Sequence, residues 1–160
     1  MPDFHCHVEQ AKHNRTLASV LNSENKGKFS DWVVTGSFYS VLHMVEAMIY
    51  GCDHLLAPSS SFPRFGTHTL VKVSNVRHSI DLEPNYARKG HELRSCIIND
   101  NLWFFKDVGK SCQALRGMSQ SARYDCQRMN EEDADFAMRK LFNAIKEFNS
   151  WALSKGFATI

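Results

Sequence analysis

A long amphipathic pattern in the first third of the chain places the strongest constraint on the fold. Between Asp31 and Tyr50 the apolar residues step by four, three, four and three, and they are Val34, Phe38, Val41, Val45 and Met48. This spacing puts them on one face of a helix. β-branched residues are frequent here, yet the length and the helical period outweigh their preference for strands. Gly51 is a natural stop, so the segment predicts a helix packed on a buried core.

Further helices are predicted on both sides of this segment. We expect a first helix over residues 3–21, a helical stretch over residues 90–122 with a break near 99–101, and a last helix capped by Asn130. Most connections between them are short, which favours antiparallel neighbours. The predicted fold is therefore all-α, an antiparallel up-and-down helical bundle of four to five helices in a single domain spanning residues 1–160.

The stretch over residues 52–89 interrupts the helical pattern. It begins with loop chemistry, since Pro58, Pro63 and Gly66 are all hostile to helix interiors. Two β-branched runs, THTLVKV and VRHSIDL, then flank Ser74 and Asn75 and suit a short β-hairpin, although a helix fits almost as well. We expect an insertion here, a loop or short β-hairpin between the second and third main helices.

The composition is that of an ordinary globular domain. The chain has 160 residues, of which 43% are apolar and 22% charged, with a formal net charge of +2. No apolar run is long enough to span a membrane and no secretory signal is visible, so we expect a cytoplasmic protein without a membrane partner. The five cysteines are odd in number and far apart, which predicts reduced thiols.

Several chemistries lack the residues they need. The sequence has no Gly-x-Ser-x-Gly, no phosphate-binding Gly-x4-Gly-Lys-Ser/Thr and no Gly-x-Gly-x-x-Gly. His5, Cys6 and His7 suggest metal ligands, but adjacent residues on a helix point apart and the spacing fits no zinc pattern. We therefore predict no metal and no cofactor.

Three blocks of sequence carry a resemblance to a known family. They are FYSVLHMVEA with His43 and Glu46, then His91, Glu92 and Arg94, and then Leu115, Ser119, Ala122, Arg123 and Tyr124. In this order they resemble the second helix, the His-x-x-Arg motif and the Leu-x3-Ser-x2-Ala-Arg-Tyr helix of HEPN (higher eukaryotes and prokaryotes nucleotide-binding) proteins. The resemblance spans roughly residues 10–145 apart from the insertion, and it implies an antiparallel helical bundle that forms a homodimer.

The family includes metal-independent ribonucleases, toxins paired with nucleotidyltransferase antitoxins, and noncatalytic modules that bind RNA or a nucleotide. Its nucleases carry an Arg followed, after about four to six residues, by a His. The His moves the proton of the 2′-hydroxyl while the Arg stabilises charge on the phosphate. Here Arg123 is followed at that distance by Arg128, and the pairs Arg64 with His68 and Arg88 with His91 are too closely spaced.

The resemblance therefore implies a HEPN-like module that binds RNA or a nucleotide, noncatalytic or catalytically altered, in a prokaryotic defence or toxin-antitoxin setting. Whether the chain is an enzyme stays open. If it is, the first alternative is a metal-independent endoribonuclease toxin in which His91 or His43 is brought to Arg123 by folding. The candidate ligand-binding residues are Arg94, Ser119, Tyr124 and Glu46.

Each candidate also has a structural interpretation. His43 can be a core or interface histidine, Arg123 can fix the bundle by hydrogen bonds, and His91 with Arg94 can be an ordinary helix start. A third functional class is a protein-interaction subunit, because residues 64–94 form the most basic stretch of the chain. Exposure of Arg123 favours a functional role, whereas burial against a carboxylate favours a structural one.

Overall fold

The computed structural model describes residues 4–24, 27–51, 95, 98–99, 102–125 and 128–160. Within these residues there are four long helices and no strand: α1 (Phe4–Glu24), α2 (Ser30–Tyr50), α3 (Leu102–Tyr124) and α4 (Glu131–Ser154). The all-α prediction is thus confirmed for the described part of the chain. The predicted insertion at 52–89, with its loop or β-hairpin, lies outside the described residues.

Helix α2 lies at the centre of the fold. It packs against α1, α3 and α4, and its predicted apolar stripe is fully buried: Val34, Phe38, Val41, Val45 and Met48. By length and composition it is also the one described helix that could cross a membrane, but 83% of that stretch is buried inside the fold. Burial of this extent is that of a core helix: the predicted stripe is buried, and most of the remaining surface of α2 is buried as well.

Small residues bring α1 and α2 close together. A Cβ added at Gly36 would lie 3.3 Å from the Cβ of Ala18, so glycine permits this approach. Further along, the Ser40 hydroxyl donates a hydrogen bond of 2.8 Å to the Ala11 carbonyl oxygen. Since later residues of α2 meet earlier residues of α1, the two helices are antiparallel.

Contacts with α4 give the directions of the other helices. The backbone N–H of Met129 donates to Asp31 at 2.7 Å beside the start of α2, and Gly51 at the end of α2 lies against Trp151 near the end of α4. Helices α2 and α4 are therefore parallel. The ammonium of Lys106 lies 3.6 Å from the Glu147 carboxylate, and Phe104, earlier in α3, contacts Trp151, later in α4. Helices α3 and α4 are therefore antiparallel.

The start of α4 is fixed by a reciprocal capping box, as expected from the cap at Asn130. The Asn130 side chain accepts a hydrogen bond from the backbone N–H of Asp133 at 2.9 Å, and the Asp133 carboxylate accepts one from the backbone N–H of Asn130 at 3.0 Å. Two otherwise unpaired backbone donors are thereby satisfied. The predicted cap is confirmed.

Helix α3 contains an interruption that the sequence did not predict. Lys106 has φ 43° and ψ −119°, so the helix is interrupted at this residue. This conformation crowds any side chain that has a Cβ. Asn99 is helical, and residues 100–101 lie outside the described ranges. Helix α3 begins at Leu102, directly after the predicted break near 99–101. The interruption at Lys106 is an additional one, and no residue type that breaks helices marks it.

An aromatic cluster closes the end of the bundle where α2 and α4 terminate. We call Phe4, Trp151 and Phe157 the end cluster. Its ring centroids are 4.6 Å apart for Phe4 and Phe157 and 5.7 Å apart for Trp151 and Phe157. Asn149 holds the following segment in place by a pair of hydrogen bonds with the backbone of Ile160.

Candidate functional site

Arg123, near the end of α3, is held between two tyrosines. Its Nε donates to the carbonyl oxygen of Ser119 at 3.0 Å, and its Nη1 donates to the Tyr39 hydroxyl of α2 at 2.8 Å. The guanidinium carbon lies 5.4 Å from the centroid of the Tyr39 ring and 4.8 Å from that of Tyr124. These distances are within the range of cation–π attraction, so the position of the charged group is well determined.

The charge of Arg123 is not neutralised within the described part of the chain. No described carboxylate lies within ion-pair distance of its guanidinium. The Nη2 atom makes no hydrogen bond to a described residue either, although a guanidinium has five N–H donors. A half-buried cation with donors to spare favours an anionic partner.

Ser119 and Tyr124, the other two predicted site residues of α3, contact Arg123 in different ways. Ser119 is fully buried; its carbonyl receives the Arg123 hydrogen bond, and its hydroxyl has no partner among the described residues. Tyr124 is 69% exposed, and its hydroxyl accepts only a long contact of 3.4 Å from Arg123. Ser119 therefore acts through its main chain, whereas the Tyr124 ring is accessible to a ligand.

His43 contacts a histidine of α1. Its Nδ1 lies 3.0 Å from Nδ1 of His7, which is 2% exposed, and the ring of Tyr50 stacks on His7 with centroids 5.3 Å apart. A hydrogen bond between two ring nitrogens requires one to carry the proton and the other to accept it. His43 follows Tyr39 by one helical turn, and Glu46, a turn further on, is 1% exposed.

The structure thus brings Arg123, Ser119 and Tyr124 together and adds Tyr39, which is not among the predicted site residues. It also gives His43 an unforeseen partner, His7. The four-residue spacing of Tyr39 and His43 indicates that Tyr39 lies beside a predicted site residue, because it places the two side chains on one helix face. The predicted site residues His91 and Arg94 lie outside the described residues.

Elsewhere, an open hollow of about 440 Å³ lies between α3 and α4, and the charged residues in it, Lys106 and Glu147, are paired with each other. None of the predicted site residues lines it; the lining consists of Trp103, Phe104, Lys106, Glu147, Ser150, Trp151 and Ser154. Across the described ranges, no group of three or more His, Cys, Asp or Glu converges as metal ligands would. Arg123 with its two tyrosines is therefore the stronger candidate for ligand binding.

The geometry around Arg123 is the structural evidence from which function is inferred. Comparison with protein-family models, with curated proteins and with solved structures gives no match for this chain. What the chain binds must accordingly be inferred from the chemistry of its residues and from the sequence blocks that contain them.

Proposed function

We propose that the chain is a HEPN-type module that binds RNA or a nucleotide, with Arg123 as the contact to phosphate. The observation that carries the proposal is a half-buried guanidinium, held between Tyr39 and Tyr124, with no carboxylate partner among the described residues. The planar guanidinium matches the geometry of phosphate oxygens, and tyrosine rings offer stacking faces to bases.

A contact joins two of the three sequence blocks that carry the resemblance. Tyr39 belongs to FYSVLHMVEA and Arg123 to the block that ends at Tyr124, and the hydrogen bond between them joins α2 to α3. The resemblance also implies the finer features of the proposal: the up-and-down HEPN bundle with its insertion, the homodimer and a nucleotidyltransferase antitoxin as partner. The proposed cytoplasmic location comes from the sequence pattern and not from the resemblance.

The test is RNA binding measured by fluorescence anisotropy over a range of salt concentrations. Arg123→Ala should weaken binding roughly tenfold or more, since a charged hydrogen bond contributes about 1.5–3 kcal/mol. The salt dependence should also become shallower, by about 0.7 in the log–log slope for each phosphate of the single strand that Arg123 neutralises in the wild type.

Arg139→Ala is the matched control. Arg139 is exposed on α4 and also lies over an aromatic ring, that of Phe136 at 6.0 Å, so its replacement removes the same charge in a similar local setting. Equal affinities for wild type, Arg123→Ala and Arg139→Ala would exclude Arg123 as the phosphate contact. Absence of binding by wild type would exclude the proposed function itself.

A second candidate function is metal-independent RNA cleavage by His43 or His91 with Arg123. The observation that favours it is the position of His43, one turn from the tyrosine that holds Arg123, with its ring hydrogen-bonded to His7. Cleavage of single-stranded RNA in EDTA, abolished by His43→Ala or His91→Ala, would support it. If the RNA stayed intact after prolonged incubation with wild type, cleavage would be excluded and only the binding function would remain.

A further inference from the structure

One line of residues on α2 is less buried than its neighbours, although Tyr39, His43 and Tyr50 are each partly buried. From Val33 to Ile49 every residue is buried except Tyr39 and His43. Trp32 and Tyr50, just beyond these limits, are also not buried, and Trp32 is 58% exposed. All four side chains are planar rings. We call Trp32, Tyr39, His43 and Tyr50 the planar stripe.

Helix geometry aligns the planar stripe along the helix axis. Its members step by seven, four and seven positions. At about 100° per residue these steps keep all four within an arc of about 40°, and at about 1.5 Å per residue they spread over about 27 Å. The rings therefore form a straight row rather than a compact cluster.

We propose that the planar stripe is the track of a single-stranded RNA, whose bases stack on the rings while Arg123 contacts a phosphate. This inference rests on the proposed function and names its substrate class. Arg123 reaches the stripe near its middle, since its Nη1 donates to the Tyr39 hydroxyl at 2.8 Å. The chain thus places a cation beside a row of stacking rings, the combination used by proteins that bind single strands.

The length of the row selects a strand over a nucleotide. A single nucleotide has one base and occupies only a small part of a row about 27 Å long, whereas a strand presents a succession of bases. A duplex fits less well, because its bases are stacked inside the helix and are not available to protein rings. Stacking on rings is tolerant of sequence, so weak sequence preference is expected.

Exposure by itself does not distinguish the stripe, and this provides a matched control. Trp103 on α3 is 68% exposed, more than Trp32, but it lies on a different helix and lines the hollow between α3 and α4. If any exposed indole sufficed to bind RNA, the two tryptophans would contribute alike. If the row matters, only Trp32 will.

The experiment compares wild type, Trp32→Ala and Trp103→Ala by anisotropy, with a labelled single-stranded RNA of about ten nucleotides. We expect Trp32→Ala to weaken binding about tenfold, as removal of one ring that stacks on a base does, and Trp103→Ala to leave it unchanged. In a Trp103→Phe variant, added RNA should also quench the tryptophan fluorescence, and most of this quenching should be lost when Trp32→Phe is added, because Trp151 is then the remaining tryptophan. Circular dichroism of each variant establishes that it is folded.

The outcomes separate this inference from the function on which it rests. Binding that Arg123→Ala weakens but Trp32→Ala leaves unchanged overturns the stripe and retains the proposed function. Displacement of the strand by a mononucleotide at similar concentrations, or equal affinity for a duplex, also overturns the stripe. Absence of RNA binding by wild type overturns both.

Discussion

Replacing Gly51 by alanine tests the packing of the end cluster directly. Gly51 has φ −80° and ψ 4°, a conformation open to any residue, so the effect of a methyl group is steric. The added Cβ would lie 2.7 Å from Cη2 of Trp151 and 2.9 Å from Cε2 of Phe157. Carbon atoms pack at about 3.5–4.0 Å, so the two rings must move by roughly an ångström.

The expected magnitude follows from two opposing effects. Overpacking costs about 1–3 kcal/mol, whereas the lower entropy of the unfolded chain returns about 0.4–1 kcal/mol on changing glycine to alanine. Gly51→Ala should therefore lower stability by about 1–2 kcal/mol, or the melting temperature by roughly 2–8 °C for a domain of this size. Gly117→Ala is the matched control, because Gly117 is exposed within α3 and an added Cβ meets nothing within 4 Å.

Thermal and urea unfolding followed by circular dichroism measure both variants. Gly117→Ala should raise stability by about 0.5–1 kcal/mol, the usual preference of a helix interior for alanine. The two substitutions are chemically identical and should change stability in opposite directions. If Gly51→Ala were as stabilising as Gly117→Ala, the rings of the end cluster could not be packed against α2 as described.

Three further substitutions probe other contacts. Asn130→Ala should lower the unfolding free energy by about 1 kcal/mol in a urea titration, whereas Asn130→Asp, which keeps the acceptor, should not; equal losses would discount the capping box. Ser40→Ala should cost about 0.5–1.5 kcal/mol by removing the hydrogen bond to Ala11, and an unchanged melting temperature would contradict this. Lys106→Gly should raise stability: it relieves about 1–3 kcal/mol of backbone strain and loses at most ~1 kcal/mol from the exposed ion pair with Glu147. If Lys106→Gly melted at a lower temperature than Lys106→Ala, the backbone at this position could not be strained.

The sequence predicted the features that depend on local signals. The buried stripe of α2 follows from the spacing of Val34, Phe38 and their successors, and the start of α4 follows from Asn130 with Asp133 three residues later. Both patterns lie within a few turns of one helix, so their physical cause is contained in the segment that shows them.

The features that the sequence did not predict depend on how helices align with one another. The Arg123 contact with Tyr39 joins residues 84 positions apart, and His7 meets His43 across 36. Helical periodicity gives the face that each residue occupies but not the axial position of its neighbour, so the partners could not be named. Lys106 was missed for another reason, since lysine favours helices and its residue type therefore gives no sign of the interruption.

The end cluster also bears on the order in which the fold assembles. Phe4 and Phe157 lie near opposite ends of the sequence, and closing a loop of roughly 150 residues costs about 4 kcal/mol of chain entropy, well above the ~0.5–1.5 kcal/mol of one ring pair. The rings therefore come together late, after the helices have docked. Loss of their contacts should therefore speed unfolding more than it slows folding. A chevron plot of Phe4→Leu should accordingly change mainly in its unfolding limb.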